Sequence, residues 1–213
     1  MKEQFDSILF DMDGTLWDAV DSYAAVWNRS IQNLGITGVL PVTRKELSAM
    51  MGKPLDEIFN RIIGDHCPQH VFMAELERNE AELMPRLGGK LYPGVKETVA
   101  AIAQGRKLIM VSNCTELGLP NFLEFTGLKP YFTDAVSFGD TGREKDYNIR
   151  LMVEKHGLRC PLYVGDTAGD CRCSKAAGVP FAWAAYGFGR DVEGYDYRLD
   201  SFADLLRIVN GNN

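Results

Sequence analysis

Short apolar runs recur along the chain, and each of them stops abruptly at a turn rich in glycine and polar residues. Residues 5–10 (FDSILF) lead into DMDGT, residues 107–111 (KLIMV) into SNCTELG, and residues 162–165 (LYVG) into DTAGD. The segments 180–186 (PFAWAAY) and 134–140 (DAVSFGD) have the same character. Runs of this length between turn residues predict buried β-strands.

Segments with helical periodicity lie between these strands. They are VKETVAAIAQ (95–104), YNIRLMVEKH (147–156) and GDCRCSKAA (169–177). Strands that alternate with helices of about ten residues are typical of a parallel sheet wrapped by helices. The pattern therefore predicts an α/β fold with a Rossmann-like three-layer core.

Residues 17–88 break this rhythm, because the stretch is helical throughout and its helical segments end at or near glycine, a common helix stop. An all-helical block between the first strand and the next strand indicates a separate small module. We therefore predict a core domain made of residues 1–16 and 89–213, and a helical cap domain made of residues 17–88.

Composition narrows the range of partners. The 213 residues carry a net charge of −6, with 23 Lys and Arg against 29 Asp and Glu, and no basic stripe of the kind that nucleic-acid binding requires. No apolar run approaches the roughly 20 residues of a membrane helix. The N-terminus does not read as a secretory signal, and five scattered cysteines fit free thiols in a reducing compartment. We expect a cytoplasmic protein, a monomer or weak homodimer, with no nucleic-acid or membrane partner.

Polar side chains directly follow three of the predicted strands. In chain order they are Asp11 and Asp13, Ser112 and Asn113, and Asp166 and Asp170. The carboxyl ends of parallel strands share one crevice, which is the usual ligand position in such sheets. Positions more than 150 residues apart in the chain are therefore expected to meet in one pocket.

Carboxylates without nearby His or Cys ligands favour a hard cation, and Mg²⁺ best suits phosphate chemistry. A carboxylate can attack phosphorus and form an acyl phosphate, which divides one difficult displacement into two easier ones. An acid two residues after the nucleophile could protonate the leaving group and later deprotonate water. Taken alone, DMDGT could equally be an acidic turn, since Asp and Gly are typical turn residues.

Four motifs together resemble the haloacid dehalogenase superfamily, and specifically its phosphatases with a helical cap inserted after the first motif, the group of phosphoglycolate phosphatase and β-phosphoglucomutase. The motifs are DMDGT (11–15), VSN (111–113), the lysine of GREKDYNI (Lys145) and GDTAGD (165–170). Their order and spacing fit the family, and the resemblance spans essentially the whole chain.

The resemblance implies a catalytic pair and a metal site. Asp11 would be the nucleophile and a Mg²⁺ ligand. Asp13 would be the general acid and base, and would also bind Mg²⁺ through its backbone carbonyl. Asp166 would complete the metal site, and Asp170 would support it through water or from outside the coordination shell.

The resemblance also implies a phosphate-binding set. Ser112 and the backbone N–H of Asn113 would hold the phosphoryl oxygens, and Lys145 would offset their charge, with Arg143 as a competitor for that role. Lys53, in a Gly-Lys-Pro turn of the cap, is expected to face the active site and contribute to substrate choice; an exposed surface lysine is the alternative.

The expected activity is Mg²⁺-dependent hydrolysis of a small phosphorylated metabolite, a phosphomonoester similar to phosphoglycolate, through a phospho-aspartate on Asp11. An inorganic pyrophosphatase or a sugar-phosphate mutase would carry the same motifs. A catalytically idle relative that binds or regulates is the alternative from another class, although a binding module has no need of a nucleophile and an acid side by side.

Overall fold

The computed structural model describes residues 5–211, which form eight strands and ten α-helices. The strands are β1 Ser7–Phe10, β2 Trp17–Asp18, β3 Lys90–Leu91, β4 Lys107–Ser112, β5 Asp134–Ser137, β6 Pro161–Gly165, β7 Phe181–Ala184 and β8 Tyr197–Leu199. The helices are α1 Val20–Asn33, α2 Arg44–Ser48, α3 Leu55–Ile62, α4 Gln69–Leu87, α5 Val95–Ile102, α6 Gly118–Thr126, α7 Phe138–Thr141, α8 Lys145–His156, α9 Ala168–Ala176 and α10 Leu205–Val209.

Six strands form one parallel sheet in the order β5-β4-β1-β6-β7-β8. The chain fills the sheet outwards from β1, first through β4 and β5 on one side and then through β6, β7 and β8 on the other. The strand order therefore reverses beside β1, and ligands bind at such a switch point. All five predicted strands are present. The sixth, β8, was not predicted, and the second half of 134–140 forms α7.

Successive side chains of each strand point to opposite faces of the sheet, so the sheet packs against a layer of helices on either side. In β1, Ile8 and Phe10 belong to the apolar cluster that also contains residues of α5, α6 and α10, whereas Leu9 belongs to the cluster with α8 and α9. All three side chains are fully buried. Both faces of the sheet are thus covered by helices, which confirms the α/β class and the three-layer core.

The helices α1 to α4 form the cap, in which α1 packs along α4. Its interior is aromatic: the ring of Phe72 lies 5.1 Å from Trp27 and 5.6 Å from Phe59, measured between centroids. Such ring pairs stabilise a small core beyond the area that they bury. The predicted helical cap is therefore confirmed. None of the helices within residues 5–211 is long and apolar enough to cross a membrane.

The chain leaves and re-enters the core at one place. Strands β2 and β3 pair antiparallel there, with Trp17 opposite Leu91 and Asp18 opposite Lys90. The prediction of helix throughout residues 17–88 is therefore wrong at its first two residues. Their pairing partners lie beyond the other end of the cap, and two-residue strands carry no periodicity of their own. The division into domains at residues 17 and 88 stays a prediction.

Candidate active site

The turn after β1 brings Asp11 to the edge of the sheet. The backbone N–H of Asp11 donates to Val164 of β6 at 2.9 Å, so the nucleophile candidate is fixed between two strands. Gly14 then adopts a φ of +80°, where a side chain would be strained, and a Cβ atom there would lie 2.2 Å from Oδ2 of Asp166. The glycine of DMDGT therefore allows the GDTAGD motif to approach the DMDGT motif.

Lys145 begins α8 and is buried, with 2% of its side chain exposed. Its ammonium lies 2.9 Å from Oδ1 of Asp11 and donates a hydrogen bond of 2.6 Å to Oδ1 of Asp170. Burial alone would lower the pKa of Lys145, but the two adjoining carboxylates raise it well above its ordinary value. Lys145 is therefore a fixed positive charge beside Asp11. The competitor Arg143 is exposed and lies over the ring of Tyr147.

Three carboxylates meet beside this lysine. One oxygen each of Asp11, Asp166 and Asp170 lies within 4.8 Å of the other two. Burial raises the pKa of Asp11 to about 6, while the Lys145 charge acts against it. Burial and the charges of Asp170 and Asp11 raise the pKa of Asp166 well above its ordinary value. Crowded buried carboxylates of this kind require a neutralising partner.

The carboxylate of Asp166 accepts hydrogen bonds on one of its two oxygens. The backbone N–H groups of Phe188 and Gly189 donate to its Oδ2 at 2.7 and 3.3 Å. Its Oδ1 is buried and has no hydrogen-bond partner within residues 5–211. An orphaned carboxylate oxygen inside an all-oxygen cluster fits a hard cation such as Mg²⁺.

Asp170 is already engaged on both oxygens. Its Oδ1 accepts from Lys145, and its Oδ2 accepts from the backbone N–H and the hydroxyl of Thr167 at 2.9 and 2.7 Å. Burial would raise the pKa of Asp170, but the charge and hydrogen bond of Lys145, helped by Thr167, lower it below its ordinary value. The N–H of Thr167 donates to Asp170 and the N–H of Asp170 donates to the Thr167 hydroxyl, and this pair forms the capping box that begins α9. This arrangement is consistent with a supporting role around the cluster.

Asp13 is half-buried and its exposed part faces a pocket between the core and the cap. The indole N–H of Trp17 donates to its Oδ1 at 2.9 Å, and the hydroxyl of Tyr23 lies 3.4 Å from its Oδ2. Burial, followed by the charge of Asp11, raises the pKa of Asp13 well above its ordinary value. A carboxyl group whose pKa is raised holds its proton more tightly and is suited to donate it to a leaving group.

The pocket itself has a cavity volume of about 110 Å³, room for a small organic group. Six of the eight predicted site residues line it: Asp11, Asp13, Ser112, Asn113, Lys145 and Lys53. Ser112 ends β4 and is buried, and the side-chain Oδ1 of Asn113 is a buried acceptor without a partner in the described part of the chain. The remaining two predicted residues, Asp166 and Asp170, join this group through Asp11.

Lys53 lies at the rim of the pocket. Its side chain is 52% exposed, and its ammonium lies 3.3 Å from Glu57. The neighbouring Gly52 has a φ of +82°, and a Cβ atom there would lie 2.8 Å from the side chain of Thr167 in the core. The cap loop thus rests against the turn that carries Asp166 and Asp170. Whether Lys53 binds substrate stays a prediction.

Sequence reasoning missed two parts of this site. The first is the loop GFG (187–189), whose backbone N–H groups hold Asp166; its position directly after the predicted strand 180–186, at the same edge of the sheet, was a signal. The second is Glu80 of α4, which is 5% exposed and accepts a hydrogen bond from the hydroxyl of Thr115, 3.0 Å from each carboxylate oxygen. Burial raises the pKa of Glu80 to about 7, against the lowering effect of Thr115.

Known proteins carry a similar sequence and fold. The family model described as haloacid dehalogenase-like hydrolase matches residues 8–184. A phosphoglycolate phosphatase of Photobacterium profundum is 30% identical, over 95% of this chain and 94% of its own. A phosphoglycolate phosphatase of Vibrio vulnificus is 29% identical over 98% of this chain and 97% of its own.

Solved structures agree in fold. A predicted phosphoglycolate phosphatase from Haemophilus somnus superposes with a TM-score of 0.84 at 24% identity, covering 98% of this chain and 99% of that chain. CbbY from Rhodobacter sphaeroides, solved in complex with phosphate, superposes with a TM-score of 0.81 at 22% identity, covering 94% and 96%. The match over residues 8–184 shows that the chain belongs to the haloacid dehalogenase-like hydrolases, and the phosphoglycolate phosphatase relatives show that it is a phosphatase among them.

Proposed function

We propose that the protein is a Mg²⁺-dependent phosphatase that hydrolyses a small phosphomonoester through a phospho-aspartate on Asp11. The observation that carries the proposal is the position of the Asp11 carboxylate, which lines a pocket between core and cap, adjoins the Lys145 ammonium at 2.9 Å and shares an oxygen cluster with Asp166 and Asp170. If Asp11 served only in a structural ion pair with Lys145, its carboxylate would not need to line a cavity large enough for a ligand.

In the first step, a carboxylate oxygen of Asp11 attacks phosphorus, and the bond from phosphorus to the leaving oxygen breaks. Asp13 gives its proton to that oxygen, so the leaving group departs as an alcohol. Ser112 and the backbone of Asn113 orient the phosphoryl oxygens, and Lys145 offsets their negative charge.

In the second step, Asp13 takes a proton from a water molecule that attacks the phosphorus of the phospho-aspartate. The bond to Asp11 breaks, inorganic phosphate forms, and both aspartates return to their starting states. Asp11, Asp166 and the backbone carbonyl of Asp13 would hold Mg²⁺, with Asp170 in support. When bound, Mg²⁺ offsets the charge of the carboxylates and the phosphoryl group.

The relatives named as phosphoglycolate phosphatases make phosphoglycolate the first substrate to assay. The exposed Lys53 at the pocket rim is the residue that we propose to meet an anionic substrate as it enters.

The test is Asp11→Asn, assayed with p-nitrophenyl phosphate in Mg²⁺. An amide cannot attack phosphorus, so we expect kcat to fall by at least about 10³-fold, with an unchanged circular dichroism spectrum. Asp18→Asn, a change at a partly exposed aspartate on the adjoining strand, is the matched control and should remain active. A loss of only a few-fold in Asp11→Asn would refute the covalent mechanism.

A further inference from the structure

The cap side of the pocket is apolar apart from a few groups. Val26, Trp27, Leu47, Ile58 and Leu76 line it, and all five are buried. The phosphoryl group would sit at the core side, beside Asp11, Ser112 and Lys145, so the leaving group is the part of a substrate that would reach these side chains. An apolar lining favours a leaving group with a hydrocarbon body.

Glu80 is the buried charge within this lining. It follows Leu76 by four residues on α4, and residues with this spacing lie on the same helical face. The hydroxyl of Thr115 donates its one hydrogen bond to the carboxylate, which has about four lone-pair sites and so can accept further donors. None of the ion pairs found within residues 5–211 includes Glu80.

The two lysines of the pocket do not compensate for Glu80. Lys145 is already placed between Asp11 and Asp170. Lys53 is half exposed and paired with Glu57, so solvent screens its charge. A second negative charge on the leaving group would enter a partly desolvated space that already holds the carboxyl groups of Glu80 and Asp13, and this is energetically unfavourable.

Resting on the proposed phosphatase function, we propose that Glu80 determines the substrate class. The pocket takes phosphate monoesters of small alcohols that have an apolar body and an O–H or N–H donor for Glu80, and it discriminates against leaving groups that carry a carboxylate or a second phosphate. Several relatives are named phosphoglycolate phosphatases, and Glu80 would disfavour phosphoglycolate as a substrate of this chain.

The experiment compares three substrates of nearly equal size: 2-hydroxyethyl phosphate, 2-aminoethyl phosphate and phosphoglycolate. They place a hydroxyl, an ammonium and a carboxylate at the same distance from phosphorus. Assays are run in Mg²⁺ at about pH 8.5, above the pKa of about 7 of Glu80, so that its carboxyl group is ionised. We expect kcat/KM for 2-hydroxyethyl phosphate, for 2-aminoethyl phosphate or for both to be at least about tenfold higher than kcat/KM for phosphoglycolate. This ratio corresponds to a difference of about 1.4 kcal/mol.

Glu80→Gln removes the charge and keeps the shape. We expect it to reduce that preference at least about fivefold, mainly by raising kcat/KM for phosphoglycolate. Glu82→Gln is the matched control, because Glu82 lies on the same helix, is 58% exposed and pairs with Arg86, and the preference should stay at the wild-type value. The ratio of kcat/KM for 2-hydroxyethyl phosphate to kcat/KM for 2-aminoethyl phosphate shows from which donor, O–H or N–H, Glu80 accepts the better hydrogen bond.

The outcomes separate the two proposals. A wild-type enzyme that hydrolyses p-nitrophenyl phosphate but prefers phosphoglycolate to both other esters overturns the role of Glu80 and leaves the phosphatase function standing. So does a Glu80→Gln enzyme that folds, is active and keeps the wild-type preference. A wild-type enzyme that hydrolyses none of these compounds refutes the proposed function and this proposal together. Because the wild-type preference is itself decisive, the test does not depend on the variant folding.

Discussion

At the scale of single residues, Asp13 shows how the site is built from both sides. Its carboxyl group accepts a hydrogen bond from Trp17 on the strand that leaves the core, and the hydroxyl of Tyr23 on the first cap helix lies 3.4 Å away. The spacing of DMDGT predicted an acid beside Asp11. The two partners could not be predicted, because Trp17 and Tyr23 reach Asp13 only once the hinge strand and the cap have folded over it.

Asp13→Asn tests the acid role. The amide cannot protonate the leaving oxygen, so we expect first-turnover release of a simple alkyl alcohol to slow by about 10²-fold or more. Release of p-nitrophenolate, which hardly needs a proton, should slow far less. Single-turnover measurements on the two esters make the comparison, and equal losses on both would contradict the role.

Glu80 gives a pH-dependent prediction about stability. Its pKa rises from 4.5 to about 7 on folding, so the folded state binds this proton more tightly than the unfolded chain does. The contribution of Glu80 to the free energy of unfolding therefore falls as pH rises from about 4.5 through about 7. The Glu80→Gln variant has no titrating carboxyl group at position 80, so its free energy of unfolding does not fall with pH for this reason. Its stability relative to the wild type should be greater at pH 8 than at pH 5.5 by about 1–2 kcal/mol.

Urea denaturation at the two pH values measures this difference. Glu82→Gln, at an exposed position on the same helix, should show almost none, because exposed ion pairs contribute little. A Glu80→Gln difference that is zero or of opposite sign would contradict the burial of an ionisable Glu80.

At the scale of elements, the strands and most helices were predictable because each has a clear periodicity and a turn at its end. The exceptions are short or set by partners elsewhere. Strands β2 and β3 have two residues each, and β8 has three. The nine-residue helix α6 was missed because SNCTELG before it has the composition of a loop. Such elements depend on tertiary pairing, which local sequence does not encode.

The loop between α2 and α3 is one of the places where the cap contacts the core, and Gly52→Ala tests that contact. The new Cβ would lie 2.8 Å from Thr167 at a φ of +82°. We expect a destabilisation of about 1 kcal/mol from the backbone strain and a drop in kcat/KM of about tenfold, because the cap can no longer rest on the turn that carries Asp166.

Gly35→Ala is the matched control. Gly35 has a φ of +62° and nothing within 4 Å of the position of a Cβ. It should show a similar loss of stability with unchanged kcat/KM. If the two variants lose activity equally, the contact between Gly52 and Thr167 has no part in closing the site.

At the scale of the whole molecule, the site joins three strand ends of one sheet to a helical cap. The core half was predictable, because parallel strands place their carboxyl ends at one edge and thereby bring Asp11, Ser112 and Asp166 together. The cap half was not. Glu80 follows no motif, and its contact with Thr115 joins residues 35 positions apart across the pocket.

The proposed metal ligands follow two different strands, so removing the metal tests the assembled site. EDTA should abolish activity, and Mg²⁺ should restore it, with Ca²⁺ a poor substitute. Mg²⁺ holds an octahedron at about 2.0–2.1 Å, whereas Ca²⁺ takes more ligands at greater distance and would occupy the oxygen of Asp11 that attacks. Activity in the presence of each ion after dialysis is the measurement. Full activity in EDTA would refute a metal site at Asp166.

The central claim is that phosphate passes through a covalent bond to Asp11, and chemical trapping tests it most directly. The enzyme is mixed with substrate in Mg²⁺, quenched in acid during turnover and treated with borohydride, which reduces an acyl phosphate to an alcohol and so converts phospho-aspartate to homoserine. Peptide mass spectrometry should find homoserine at position 11 in the wild-type enzyme and none in Asp11→Asn. Full turnover with an unmodified Asp11 at every quench time, or homoserine at another aspartate, would contradict the account.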